Sequence, residues 1–383
     1  MIRYLKNEEF FSCRPLWQEA FPEDSREFLE YYFNKKIKNS RILVKEDEEG
    51  RVITMAHLNP YRVNVGKKLW KLDYIVGVAT AKDCRHQGHM RDVLIHMLTD
   101  MNKEKKPFCY LMPASPSIYT PFGFRYIFDQ PRWKMSPIGE RTLTRRVYSA
   151  EGKERLFLAA WLNRWLAARF QVYAVRDLEY MGLLQEELES EAGSLYGWYD
   201  EQDVLKAVQA VWGLKKKEQR FLYSSQELWV EPEDKNRFLR PAIMARITDV
   251  QSFMEAIVLR SDCPCHGMDV MLYIRDSLIP AQNGLWRWRL NRNGSSLTKR
   301  ESGLARRFEE KTEGEKVKAA SIEEEVPYSG TLDSTEVLEI TIEDLASWLF
   351  GYMRLEDRED EDKPPFWCSY IQPLEGVFLD EVV

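Results

Sequence analysis

The chain has 383 residues, too many for one hydrophobic core, which suggests two or three domains. Hydrophobic residues make up 44% and charged residues 30%, a balance that reads as soluble, globular and mixed in structure. The net charge of -6 argues against nucleic acid, which wants a basic face, and is compatible with a cationic substrate.

The N-terminus carries acids early (Glu8, Glu9) and lacks an apolar signal-peptide core. No stretch is apolar and long enough to span a membrane, so a cytoplasmic protein with six reduced cysteines is expected. Cys263-Pro264-Cys265-His266 is the one local cluster with metal-ligand chemistry. A tetrahedral zinc site needs about four ligands, usually in two pairs. No second pair stands out, so a reduced surface turn and no metal are expected.

Apolar residues recur at helical spacing from Phe10 to Phe33, with a break at Pro22-Glu23-Asp24-Ser25. Strands are predicted at 41–45, 52–59 and 68–78, separated by polar turn segments. The segment Asp73 to Thr80 reads as a strand, Ala81 to His89 as a polar loop, and Met90, Val93, Leu94, Met97, Leu98 and Met101 mark one buried face of a helix. Phe108 to Met112 is the next strand, Ser115 to Tyr119 a turn or short helix, and Phe122-Gly123-Phe124 opens a further strand. Strand, loop, helix and strand together imply a parallel pair with a right-handed crossover, and a ligand at the carboxyl ends of those strands.

Beyond residue 151, helices are predicted near Trp161–Leu166, over 177–191 and within 198–217, with a strand at 172–177. Later come a strand at 242–246, a helix at 250–259, strands at 270–276 and 285–290, and a helix at 342–350. The stretch 299–325 is dense in charge and reads as a solvated insertion.

Chemistry concentrates in Arg85-x-x-Gly88-x-Met90. Diphosphate needs backbone N–H groups pointing at it, and a loop turning into a helix N-terminus supplies both donors and a favourable dipole. Gly88 allows close backbone approach, and Arg85 and Arg91 add positive charge. Alone, such a turn is equally an ordinary polar turn. Likewise Tyr119, read alone, is either a core aromatic or a proton donor.

In context the strand, turn, helix and following strand resemble the coenzyme A site of GNAT acetyltransferases. More narrowly, the chain resembles the enhanced intracellular survival protein family of that superfamily. The likeness rests on Val78-Ala79-Thr80 leading to Arg85–Arg91, on Leu111-Met112-Pro113-Ala114-Ser115-Pro116-Ser117-Ile118-Tyr119-x-x-Phe122-Gly123-Phe124, and on the chain's end. It implies an α/β (α+β) fold: an N-terminal GNAT domain at 1–150, a central degenerate GNAT-like domain at 151–240, and a C-terminal sterol-carrier-like domain at 241–383. Met244–Val250 and Thr341–Tyr352 resemble the opening and a later helix of that third domain.

The resemblance implies an acetyl-coenzyme A-dependent N-acetyltransferase acting by direct transfer on a cationic amine, whether polyamine-like, an aminoglycoside or a lysine amine. Backbone groups of Val78, Ala79 and Thr80 would hold the pantetheine arm and the thioester carbonyl, with the Val78 N–H as oxyanion donor. Amides of His86, Gln87, Gly88, His89, Met90 and Arg91 would cradle the diphosphate beside Arg85. Ala114 and Ser115 would border the arm. Tyr119 would protonate the leaving thiolate, and the main-chain carboxylate of Val383 would take the amine's proton. The superfamily favours Gly or Ala where Met90 stands, and often Arg where His86 and Gln87 stand, which implies weaker coenzyme A binding. His57, His89 and His96 are further bases in principle, with His96 on a solvated face. The family also implies a homo-oligomer, first of all a hexamer. The alternative reading is a non-catalytic protein that holds an apolar ligand in its third domain or serves as a scaffold.

Overall fold

A computed structural model describes residues 1–148, 152–234, 236, 238–300, 330–358 and 363–381. The first elements are β1 (Ile2–Tyr4), α1 (Arg14–Ala20), α2 (Arg26–Asn34), β2 (Arg41–Glu46), β3 (Val52–Val65), β4 (Lys68–Thr80), α3 (His89–Lys103), β5 (Phe108–Leu111), α4 (Pro116–Tyr119) and β6 (Arg125–Pro131). The Ser25 hydroxyl accepts from the Phe28 N–H at 2.9 Å and caps α2, as a hydroxyl at that position does. α3 buries Val93, Leu94, Met97, Leu98 and Met101, the face its sequence predicts. Burying five such side chains contributes on the order of 10 kcal/mol before chain entropy is subtracted.

The main sheet runs β1-β2-β3-β4-β5, then the strand Leu239–Ile247, then β6. Neighbours from β1 to β4 are antiparallel, and β4 and β5 are parallel, joined through α3. Leu239–Ile247 contains the short strand expected at 242–246. It lies antiparallel between β5 and β6, with Met244 opposite both Leu111 and Tyr126. At the far end of β3, Val63–Val65 pairs with Val172–Ala174, which in turn pairs with Val377–Phe378. One sheet thus takes strands from four separated stretches of chain.

The helix expected within 198–217 is instead a pair of strands, Ser194–Tyr199 and Leu205–Trp212, in a four-stranded antiparallel sheet. The Asp200 carboxylate accepts from the N–H groups of Gln202 and Val204 at 3.0 and 2.8 Å, which fixes a tight turn between them. Val204, Val208 and Val211 satisfy a helical period by spacing, but their branched side chains suit a pleated surface better. The helix expected at 250–259 stops at Met254, and Val258–Leu259 pairs with Ile371–Gln372. The C-terminal four-stranded sheet has the order Gly294–Lys299, Gly284–Asn291, Gly267–Arg275, Thr331–Thr341, and carries the helix Ile342–Leu349. Most of the charged stretch 299–325 lies outside the described residues.

One buried cluster runs from Tyr61, Tyr74 and Phe108 through Leu162 and Met181 to Trp288, Leu345 and Phe378, so all three parts of the chain share an interior. Cys263 and Cys265 are 1% and 0% exposed within it, not on the surface as expected. Their Sγ atoms are unbonded at 3.0 Å. Among the described residues no group of three or more His, Cys, Asp or Glu side chains could hold a metal, and no helix is long and apolar enough to cross a membrane.

Candidate active site

β4 and β5 are in register only at Tyr74–Tyr110, although β4 continues to Thr80. A bulge lies in that unpaired half. Pairing with β3 passes from Val76–His57 to Ala79–Met55, so Gly77 and Val78 stand opposite Ala56 alone. Gly77 has φ +60°, and a Cβ there would lie 2.4 Å from the Trp17 ring, so both conformation and space demand glycine. The bulge re-aims the β4 backbone in the half that runs on beyond its pairing with β5.

β4 leads straight into the turn. Arg85 Nε donates to the Thr80 carbonyl at 3.1 Å, and Gln87 Nε2 to the Asp83 carbonyl at 3.3 Å. His86 and Gly88 have φ of +61° and +82°. α3 starts after Gly88, with its first intrahelical bond from the Asp92 N–H to the Gly88 carbonyl at 3.1 Å. The N–H groups of His89, Met90 and Arg91 therefore have no intrahelical acceptor. Space beside Gly88 is open: a Cβ there would meet nothing within 4 Å. Arg85, His86, Gln87 and Arg91 are exposed, whereas Met90 is half-buried and packs into the cluster below α3. Its bulk points away from the turn's open side, which removes the conflict with the usual small residue.

Tyr119 closes α4 and is 8% exposed, edge-on to Phe124 with ring centroids 5.9 Å apart. It shares its buried cluster with α3, and Val78 and Met90 pack against that same cluster. Burial pushes its phenol up to about 12, so it is protonated through neutral pH. Ser115 precedes α4 and its Oγ lies 2.9 Å from Ser117 Oγ; Ala114 comes just before it. Thr80 Oγ1 is 3.2 Å from Thr54 Oγ1. His57 is fully buried, 3.1 Å from the Tyr32 hydroxyl through Nδ1, and burial pushes it down to about 3. His96 is exposed and 3.3 Å from Asp100, as its place off the apolar stripe predicts. Val383 lies outside the described residues.

The described chain ends at Glu381, deep inside. Phe378, Leu379, Asp380 and Glu381 are at most 3% exposed. Arg176, 2% exposed, holds both acids: Nη1 donates to Glu381 at 2.7 Å and Nη2 to Asp380. The Tyr223 hydroxyl also donates to Asp380, and Arg220 Nη2 to the Asp380 carbonyl at 3.0 Å. Burial raises Glu381 above the usual carboxylate range against the pull of Arg176. Burial, with the charge of Glu381 added, raises the phenols of Tyr61, Tyr74 and Tyr110, and the Tyr110 hydroxyl has no hydrogen-bond partner.

Beside Glu381 is a cavity of about 610 Å³, lined among others by Lys36, Tyr61, Tyr180, Glu187 and Arg220. Lys36 Nζ donates to the Tyr61 hydroxyl at 2.6 Å, and burial pushes its amine down. None of these residues follows from a sequence motif. Acids at 380 and 381 inside an apolar run, and an Arg after the strand Val172–Ala174, are the signals that could have marked them.

Residues 1–127 match the family described as acetyltransferase (GNAT) domain. No curated protein matches the chain. Among solved structures, a conserved Enterococcus faecalis protein described as a "Probable N-Acyltransferase" is 17% identical, with a TM-score of 0.68 over 97% of this chain and 93% of that one. A GCN5-related N-acetyltransferase from Kribbella flavida is 16% identical, with a TM-score of 0.58 over 79% of this chain and 86% of its own. Eis1 from Mycobacterium abscessus is 14% identical, with a TM-score of 0.57 over 79% and 85%. At these identities the likeness is one of fold. The bulge, the turn and the family match at 1–127 agree with one another, and the chain carries a GNAT acetyltransferase domain, the domain of an acyltransferase enzyme.

Proposed function

We propose that this protein moves the acetyl group of acetyl-coenzyme A directly onto an amine. The observation that carries the reading is the glycine bulge of β4 beyond its pairing with β5, followed through the turn at 81–88 by a helix whose first N–H groups have no intrahelical acceptor. Acetyl-coenzyme A supplies an activated acetyl thioester. The amides from His86 to Arg91, with the charges of Arg85 and Arg91, bind its diphosphate. Val78, Ala79 and Thr80 border the pantetheine arm on one side, Ala114 and Ser115 on the other. The Val78 N–H donates to the carbonyl oxygen as charge develops on it. Tyr119, kept protonated by burial, delivers a proton to the departing sulfur.

The amine must lose a proton before it attacks. The main-chain carboxylate of Val383 takes it; Val383 follows by two residues the buried Glu381, which lines a cavity. That cavity is lined by Asp177, Glu179, Glu186 and Glu187 together with Lys35, Lys36, Lys38, Arg62, Lys71 and Arg220, a mixed charge that does not choose the acceptor. A cationic amine of polyamine, aminoglycoside or lysine type is proposed from the family resemblance of the sequence. Domains at 1–150, 151–240 and 241–383, the last sterol-carrier-like, a homo-hexameric assembly and a cytoplasmic location complete the proposal.

The test is release of free thiol from acetyl-coenzyme A in the presence of a panel of amines. A short C-terminal tag is expected to lower the rate by about three orders of magnitude, in the range a positioned base contributes, and an N-terminal tag to leave it unchanged. Val383→Ala keeps the carboxylate and is expected to be far milder than deletion of residues 382 and 383. No thiol release with any amine overturns the proposal; full activity of the C-terminally tagged protein moves the base elsewhere.

A further inference from the structure

A second cavity, of about 580 Å³, is lined by none of the residues proposed to bind acetyl-coenzyme A. It sits among the end of β6, the C-terminal end of the helix Gly152–Ala167, the strand Glu218–Ser224 and Phe378 of the C-terminal arm. No residue of the turn 85–91 lines it, nor does Tyr119. Its size falls in the range of small-molecule sites.

The walls are flat and aromatic. Tyr223 stacks on Phe221 with centroids 4.4 Å apart and planes 2° from parallel, and on Trp165 at 4.8 Å and 23°. Phe378 stands edge-on to Tyr223 at 5.4 Å. Set among these rings are three guanidinium groups, Arg132, Arg169 and Arg220, against one lining carboxylate, Glu227. Arg132 and Arg169 make no ion pair among the described residues. Arg169 donates only to the carbonyls of Trp165 and Ser225, at 3.1 and 2.9 Å. The Arg132 Nε is buried and has no acceptor. Arg220, 8% exposed, lies 3.7 Å from Glu187 through Nε, yet its buried Nη1 has no acceptor.

Buried N–H donors without acceptors are costly, and those on a cation more so. An anion entering this cavity would satisfy them while its apolar part lay against the aromatic lining. We infer that the cavity is a binding site for an aromatic carboxylate, separate from the acetyl-donor site and sharing one lining residue, Arg220, with the cavity of the proposed acceptor. The aromatic lining favours an aromatic body, the excess of guanidinium over carboxylate in the lining favours the anion, and a guanidinium fork matches a carboxylate.

The probe is 2-naphthoate, titrated calorimetrically into the full chain, with 2-naphthylmethylammonium as a cation of the same shape. Saturable one-to-one binding of the naphthoate is expected, at least about tenfold tighter than the cation and undisturbed by saturating coenzyme A. Arg132→Met should weaken the naphthoate about tenfold with unchanged melting temperature and thiol-release rate, and Arg169→Gln should weaken it less. Equal affinity for the two ions, displacement by coenzyme A, undiminished naphthoate binding in both arginine variants, or no saturable binding at millimolar concentration overturns the inference. The comparison of anion with cation on the unmodified chain stands even if a variant fails to fold.

Discussion

The turn from Arg85 to Arg91 and the arm from Val377 to Glu381 are held in place in opposite ways. Most of the turn is exposed, and its side-chain bonds, Arg85 to Thr80 and Gln87 to Asp83, stay within five residues. The arm is buried, and Asp380 takes its partners Arg176 and Tyr223 from 204 and 157 residues away. A local, exposed device can lose its ligand and keep its fold. A long-range, buried one ties function to folding, because removing one partner strands a charge in the interior.

The strongest way to break that comparison is at Arg176. Arg176→Met removes the cation that faces both buried acids, and stability is expected to fall by about 3–5 kcal/mol in denaturant titrations, with activity falling too. A variant as stable as the parent would mean that the arm is held by Tyr223 and Arg220 through Asp380, without Arg176. At the turn the two effects should separate. Gly88→Asp faces open space, but it needs a left-handed φ and sets a carboxylate where diphosphate binds. Coenzyme A affinity is expected to drop more than about 100-fold by calorimetry, with the strain costing only about 1–2 kcal/mol of stability. Unchanged affinity would remove the diphosphate from this turn.

Tyr119→Phe sharpens the contrast from between the two. The phenol carries no hydrogen bond that the fold requires, so stability should hold while kcat drops about 100-fold and acetyl-coenzyme A affinity stays. Because burial pushes Tyr119 up to about 12, its own titration should not shape the rate profile below about pH 10. An alkaline limb near pH 8 that vanishes in the Phe variant would contradict this. The smallest effect concerns His57, buried neutral with its pKa near 3 against about 6.5 unfolded. A depressed folded pKa for a base means stability that is complete above about 6.5 and is lost as pH falls toward 3. Between pH 7 and pH 5 this costs about 2 kcal/mol, and His57→Gln should flatten the stability profile by that amount. An unchanged profile would mean that the ring is solvated.

The legible parts of the molecule are those where one residue's conformation and its neighbours' pattern decide the outcome. α3 was readable because Met90, Val93, Leu94, Met97, Leu98 and Met101 repeat at helical spacing, and the turn because Arg85 and Gly88 precede them. The pair of strands at 194–212 was misread because its valines fit two periods, and the Asp200 turn that decides between them depends on side-chain bonds to the backbone. Gly77 was passed over because its need for glycine comes from Trp17, sixty residues earlier. The cluster of Lys36, Arg176, Glu187, Arg220, Asp380 and Glu381 is assembled by the fold from five segments, so no spacing announces it. The inward packing of Phe378–Glu381 agrees with the apolar-rich run at the end of the sequence, although Val383 itself lies beyond the described residues.

The strand Leu239–Ile247 fills the place between β5 and β6. The region recognisable as an acetyltransferase ends at residue 127, yet its sheet stays open along β5 until residue 247 has left the ribosome. A nascent chain therefore exposes an unpaired β5 edge of Phe108, Cys109, Tyr110 and Leu111 during synthesis of the whole central region, at about 5–20 residues per second. A fragment cut at residue 150 would keep that edge permanently, and bare apolar edges recruit other chains. The unit of inheritance and the unit of folding are different here: the shortest autonomous piece of this enzyme reaches at least to Ile247.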